Sequence, residues 1–211
     1  MKIAIIGATG MTGKALFNEA KERGHEVTGF VRNEARGKEI LGDDANLIVE
    51  DAFAITGDQL DQFDVVIDAF ANHQEPEQNL DVLTHLIHQT RKHSVRMFFI
   101  LGAGPLLQAN GEYVYEHLKT LPGAETWVDE PRYGVTELQV LLSTRDVNWT
   151  AISAQNTYSE GPKTDYVLGK DHLMEASDGE SHVTSGNLAS AVLDEIETPQ
   201  HKMERFTVSD K

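Results

Sequence analysis

Glycines stand at positions 7, 10 and 13, in Gly7-Ala8-Thr9-Gly10-Met11-Thr12-Gly13, directly behind the apolar run Lys2-Ile3-Ala4-Ile5-Ile6. A helical pattern starts at once after them, with Ala15, Leu16, Glu19 and Ala20. A strand that turns into a helix through glycines leaves backbone N–H groups free at the helix start, where the helix dipole adds positive potential. Such a turn suits a pyrophosphate. Gly7 would permit the tight turn, Gly10 close approach of backbone to ligand, and Gly13 close packing of helix on strand. Thr9, Met11 and Thr12 complete the candidate contacts. A plain strand–helix turn is the alternative, but the motif has the strand before it and the helix after it that a dinucleotide site requires. A triphosphate-hydrolysing loop is excluded: Ala15 follows Lys14 where a Ser or Thr should hold magnesium, and Ala8 replaces that motif's first glycine.

The end of the next strand sets the choice of dinucleotide. An NAD site usually carries an acidic residue about 20 residues after the glycine turn, bonded to the ribose 2′-hydroxyl. Here Glu26–Val31 reads as a strand and is followed by Arg32-Asn33, with Arg36 and Lys38 close by. A guanidinium pairs with a 2′-phosphate, so NADP(H) is favoured over NAD(H); the alternative is that Arg32 is a surface loop charge. Asp51, with Ala52 behind it, follows a third strand at Asn46–Val49; its carboxylate either accepts from an adenine amino group or caps the next turn. Ala69, Phe70 and Ala71 end a fourth strand, Asp64 to Ala71, where small residues let a ribose and nicotinamide lie near the backbone or serve packing alone. Leu101 and Gly102 close a fifth, Val95–Leu101. The small-molecule lining expected is thus the set of turns after Ile6, Val31, Val49, Ile67 and Leu101.

Elements of matching order must hold these turns. Arg23-Gly24-His25 closes the first helix with a basic last turn and a glycine cap. Gln59 to Phe63 closes a short helix, Gln78–His93 is a long amphipathic one, Pro131–Thr144 another, and Asn148–Ile152 a sixth strand. Leu80, Leu83, Leu86, Ile87 and Thr90 form the apolar stripe of the long helix. Asp81, His85, His88 and Lys92 lie opposite; a metal set there lacks a further ligand, so no metal is expected and a solvated face or a homodimer contact is the reading. Strands alternating with helices predict an α/β fold, a Rossmann-type doubly wound parallel sheet with helices on both faces in a single domain spanning residues 1–211. Ligands of such sheets bind outside the carboxyl ends of the strands. Residues 106–130 read as an irregular cover over that rim. Beyond strand six, Gln155–Thr164 reads as a polar loop, Tyr166–Leu168 as a short strand, Ser185–Ile196 as a helix capped by Ser185 or Asn187, and Phe206–Val208 as a last edge strand. Residues 153–185 would form a small substrate-side region.

Composition bounds the function. The 211 residues hold no cysteine, so disulfides, thiolate metal sites and cysteine nucleophiles are out. With 34 acidic against 18 basic residues the net charge is −16, which argues against nucleic acid or anionic membrane as partner. An anionic cofactor must then be met by local donors, against the overall field. Glycines interrupt the N-terminus before an apolar stretch long enough for a signal peptide, and a soluble cytoplasmic protein is the expectation.

At this point the sequence resembles an atypical short-chain dehydrogenase/reductase, within it the NmrA-like and NADH-flavin reductase branch that includes the biliverdin reductase B type. The resemblance rests on the glycine turn, on Gly24-His-Glu-Val-Thr28 with Val31-Arg32-Asn33, and on Leu101-Gly-Ala-Gly104. Later it rests on Asn148-Trp149-Thr150, Leu193 to Pro199, and Arg205-Phe-Thr-Val208. It implies an NAD(P)H-binding fold with the turns above as cofactor contacts. Most short-chain reductases add a Tyr-x-x-x-Lys pair and a Ser after strand five, the Lys lowering the Tyr pKa for proton exchange. Tyr115 and Lys119 have that spacing but precede the expected helix. Tyr133 lies on it, but Glu137 replaces the Lys, and Gly102 stands in place of the Ser. Neither Tyr115 nor Tyr133 is thus a strong proton donor. The incomplete set fits hydride transfer to a flavin-like or quinone-like acceptor, with FMN or FAD as substrate, because such rings delocalise the arriving charge. A non-catalytic NADP(H)-binding redox sensor fits it equally, and a nucleotide-sugar epimerase or dehydratase less well. Asn156, Thr157 and Tyr158, after strand six, are the substrate-side candidates; the branch commonly has a Pro in that loop, where this chain has Ser153-Ala-Gln-Asn156.

Overall fold

The apolar run behind the glycine turn becomes β1 (Lys2–Ile6), and its position in the sheet fixes everything else. The computed structural model describes residues 1–211. In chain order follow α1 (Met11–Glu22), β2 (Glu26–Val31), α2 (Glu34–Leu41), β3 (Asn46–Val49), α3 (Gly57–Leu60), β4 (Val65–Asp68), α4 (Glu77–Thr90) and β5 (Arg96–Leu101). Then come α5 (Val114–Leu118), a 3-10 turn at Ala124–Thr126, α6 (Asp129–Ser143), β6 (Trp149–Ser153), β7 (Thr157–Ser159), β8 (Tyr166–Gly169), β9 (His182–Thr184), α7 (Ser185–Glu197) and β10 (Arg205–Asp210).

Eight strands form one sheet in the order β3-β2-β1-β4-β5-β6-β10-β8. All neighbours are parallel except β8, which runs antiparallel to β10. The order reverses between β1 and β4, so their carboxyl ends diverge and leave a crevice. Both faces are covered, and the strands are accordingly near-continuous apolar runs. On one face Leu16, Phe17 and Ala20 of α1 and Leu188, Val192 and Ile196 of α7 pack on Ile3, Ile5 and Phe206. On the other, Leu83 and Leu86 of α4 and Leu138 and Leu141 of α6 pack on Ala4, Val66, Phe99 and Trp149. The two clusters exclude water from the whole central sheet, so the strand ends that carry the candidate residues are rigidly placed.

Several expectations change. The last strand is no edge: β10 lies between β6 and β8 and is buried along its length, because β8 folds back to cover it. Thr184, rather than Ser185 or Asn187, caps α7, its hydroxyl accepting from the Asn187 amide at 3.3 Å. In α4 Val82 joins Leu83, Leu86, Ile87 and Thr90 in the core while Leu80 is only half-buried. His85 of that helix donates from Nε2 to the Ile55 carbonyl at 2.8 Å, a local tie to the α3 region. Residues 106–130 contain α5 and the 3-10 turn, and Gln155–Thr164 contains β7, which pairs with β9 in a separate ribbon. No helix is long and apolar enough to cross a membrane.

The tail motifs turn out to be structural. Glu195 of α7, buried, accepts from Arg96 Nη2 at 2.8 Å and from the Gln200 and His201 amides at 3.0 Å each. Thr150 donates to His201 O at 2.7 Å. Asp194 takes Arg23 and the Tyr166 hydroxyl. These bonds stitch β5, β6, β8 and α7 together away from the crevice.

Candidate dinucleotide and acceptor site

The β1–α1 junction is built for an anion. Gly7 sits at φ +74°, and a Cβ there would lie 2.6 Å from the Ala69 carbonyl oxygen of the neighbouring strand, so no other residue fits the turn. A Cβ on Gly13 would collide with Gly7 and Ala8, which lets α1 start close against β1. Gly10 differs: at φ −76° its Cβ would meet nothing nearer than the Gly7 carbonyl oxygen at 3.4 Å and would point into the crevice. Gly10 N–H bonds back to Gly7 O at 3.0 Å. The N–H groups of Met11, Thr12 and Gly13 have no acceptor, no side chain caps the helix, and its first turn carries no acid. Three aligned orphan donors at the positive end of a twelve-residue helix are what a diphosphate needs.

The crevice opens from this junction into a cavity of about 1300 Å³. That exceeds the roughly 300–1000 Å³ of a site for one drug-sized ligand, and leaves room for a dinucleotide and a second molecule. Gly7, Thr9, Gly10, Met11, Thr12, Arg32, Asp51, Ala52, Ala69, Phe70, Ala71, Leu101 and Gly102 all line it. Arg32 and Arg36 face it from the start of α2 without forming an ion pair, whereas Lys38 is held by Glu34 at 2.7 Å. Asp51 Oδ1 accepts from the Phe53 amide at 3.0 Å, so the turn-capping role is filled. Phe53 meets Phe70 edge to face at 6.1 Å between ring centres, making an apolar wall beside Asp51. At Gly102 an added Cβ would meet no atom within 4 Å, so the missing Ser reflects sequence rather than steric exclusion.

Of the three candidates after strand six, Asn156 and Tyr158 line the cavity and Thr157 does not. Alternation along β7 turns 158 inward and 157 outward, while Asn156 lines the cavity from the turn just before the strand. The Tyr158 hydroxyl bonds Thr12 Oγ1 at 2.9 Å, tying the β7–β9 ribbon to the glycine turn, and burial pushes its pKa up to about 12. Gln155 is an anchor: buried, its Nε2 donates to Thr207 Oγ1 at 2.7 Å while its Oε1 accepts from the Met174 amide at 2.9 Å.

Neither candidate tyrosine reaches the cavity. Tyr133 stacks under the Arg132 guanidinium, 4.4 Å from ring centre to Cζ. Tyr115 lies on α5 with Lys119 over its ring at 5.4 Å, and that lysine is bound to Glu116 at 2.5 Å. Neither ring lines the cavity, Tyr115 on α5 and Tyr133 on α6, so a Tyr–Lys pair is absent from the lining. In their place stand residues that sequence reasoning passed over. Trp127, in the residue 106–130 segment, has 42% of its surface exposed and lines the cavity along with Leu118 and Pro131. His73 Nδ1 and Glu130 Oε1 meet at 2.8 Å across the mouth. Glu137, already noted in place of the expected Lys, also faces in. Only an aromatic inside an otherwise irregular cover could have singled out Trp127 beforehand.

Asp68, at the carboxyl end of β4, is buried and accepts only the Phe70 amide at 3.1 Å; desolvation pushes its pKa up to about 7. The folded chain then holds a proton that the unfolded chain has lost, so this group's contribution to stability declines as pH rises from 3.8 to about 7. The advantage of Asp68→Asn over the wild type should therefore grow by roughly 2–3 kcal/mol between pH 5 and pH 8. Urea unfolding at the two pH values checks this; an equal difference at both would contradict it.

A parallel sheet whose order reverses beside a free helix start, with small residues and arginines around the crevice, defines a dinucleotide-binding α/β protein of the Rossmann type. The profile of the NAD(P)H-binding family matches residues 7–199, and the chain belongs to that family. It is 33% identical to the uncharacterized protein YwnB of Bacillus subtilis (strain 168) over 99% of this chain and 98% of that protein. The crystal structure of a Lactobacillus casei protein, 36% identical, superposes with a TM-score of 0.92 over 100% of this chain and 99% of the other. That of a "putative NADH-flavin reductase" of Streptococcus pneumoniae TIGR4, 28% identical, gives 0.88 over 100% of both. These likenesses bear out the resemblance read from the sequence.

Proposed function

We propose that the protein is an NADP(H)-dependent oxidoreductase that passes hydride to a flavin-like or quinone-like acceptor. The observation that carries this reading is the content of the acceptor half of the cavity: an exposed indole and apolar walls, with no Tyr–Lys pair. A planar aromatic acceptor stacks on such a surface and takes hydride without an alkoxide to be quenched. The amides of residues 11–13 would hold the diphosphate, the Phe53–Asp51 corner the adenosine, and Arg32 with Arg36 a 2′-phosphate. Bound there, the nicotinamide cofactor supplies the hydride. Ala69 and Ala71 leave its ring room near the strand end, and Trp127 and Tyr158 flank the space in which an acceptor would lie. The name of the pneumococcal relative points to the same chemistry.

NADPH oxidation measured with FMN, with a quinone and with no acceptor tests the reading. Turnover that needs FMN or the quinone is the expected result. Binding without oxidation under every acceptor would instead favour the redox-sensor reading, which the absence of a Tyr–Lys pair also fits.

A further inference from the structure

Glu137 lies where the resembled enzymes carry their lysine, and nothing in the cofactor contacts uses it. It sits on α6, and side chains on a helix lean back over the residue one turn before. That residue is Gly134: a Cβ there would be 3.9 Å from Glu137 Oε2 and 3.4 Å from Pro105 Cδ. Gly134 and Pro105 thus lie beside the Glu137 carboxyl, and all three line the cavity with Gly104. Glu137 accepts no hydrogen bond and pairs with no cation. The charged groups facing it are acids: Asp68 from β4 beneath, and Glu130 from two turns back on α6, itself tied to His73 at 2.8 Å. Among the residues that line the cavity with it, Leu101, Pro105, Leu118, Trp127 and Pro131 carry no charge, and Lys119, just past α5, is committed to Glu116. A carboxyl with no donor around it, two acids near it and apolar walls beside it keeps its proton. Burial, with Asp68 and then Glu130, pushes its pKa up to about 8.

Resting on the reductase reading above, we propose that Glu137 is the catalytic acid, donating its carboxyl proton to the acceptor as hydride arrives. The atoms balance. The acceptor gains a hydride from NADPH, two electrons with one proton. The Glu137 O–H bond breaks to give the second proton, leaving a carboxylate and an acceptor reduced by two electrons and two protons. The carboxylate then takes a proton back from water at the cavity mouth. The lysine of the resembled enzymes works through a tyrosine; here a neutral acid at the same helix position does the work directly, which accounts for the absence of both tyrosines from the lining.

Glu137→Gln and Glu137→Asp test this, with two readouts. In the steady state with NADPH and FMN or a quinone, the wild-type rate should hold at low pH and fall above about pH 8 as the acid is lost. Glu137→Gln should lower kcat about 100-fold at neutral pH, leave the NADPH dissociation constant within a few-fold, and flatten that limb. Glu137→Asp should keep the limb at reduced rate. In the cofactor-free protein, 13C NMR of glutamate carboxyls should show one resonance titrating near pH 8 that Glu137→Gln removes. A glutamine variant with the rate and pH profile of the wild type would overturn the assignment while leaving the reductase reading intact, as would a Glu137 resonance titrating in the ordinary carboxylate range. A wild-type protein inert with every acceptor would overturn both.

Discussion

Replacing Gly10 with valine should leave the chain folded and weaken its affinity for NADPH and NADH alike by at least about 100-fold, or about 2.7 kcal/mol. The asymmetry among the three glycines makes this a sharp expectation. At φ −76° a branched residue adopts the backbone without strain, and its first carbon meets only the Gly7 carbonyl oxygen at 3.4 Å. The branches would occupy the space over the Met11, Thr12 and Gly13 amides, which have no other acceptor. Gly13→Ala should act in the opposite way, costing about 1–3 kcal/mol of stability by forcing α1 off β1. Calorimetric titration with each dinucleotide, beside thermal melts, separates the two. A Gly10→Val protein that melts like the wild type and still binds tightly would show that the diphosphate lies elsewhere.

Arg32→Ala should weaken NADPH by about 10- to 100-fold and NADH by less than about 2-fold, because one charge-assisted phosphate contact is worth roughly 1.5–3 kcal/mol. Arg32 faces the cavity without an ion-pair partner, and no acid ends β2 to take a ribose hydroxyl. The net charge of −16 makes such a local cation matter more for an anion with extra negative charge. Arg36 stands one turn along α2, so the double variant should lose more of the preference than Arg32→Ala alone. Dissociation constants for the two dinucleotides decide it; equal losses for both would contradict the 2′-phosphate contact.

The cofactor half of the site was legible because its signals are local. A glycine turn, a strand end and a helix start lie within thirteen residues, and each strand-end turn follows its own apolar run. A parallel sheet places those turns along one rim by construction. The half proposed to take the acceptor was not legible, because it forms by long-range packing. Trp127 reaches the cavity from a stretch with no period, and Glu137 from α6 where that helix passes Gly104 and Pro105, far off in sequence. Thr157 was misplaced for want of β7, a strand of three residues that exists only by pairing with β9, some 25 residues on. The placing of β10 as an edge failed similarly: nothing in Phe206–Val208 says that β8 will fold back to cover it. Of the motifs that carried the family resemblance, those at the tail reported structure, since Asp194 and Glu195 bind Arg23, Tyr166, Arg96 and His201 rather than a ligand.

A crystal structure of the protein with NADPH tests the central claim most directly. The diphosphate should lie over the Met11–Gly13 amides, with the 2′-phosphate beside Arg32 and the nicotinamide ring between Ala69 and Gly102. A diphosphate bound away from the start of α1, or a glycine turn blocked by one of the protein's own side chains with NADPH in excess, would contradict it.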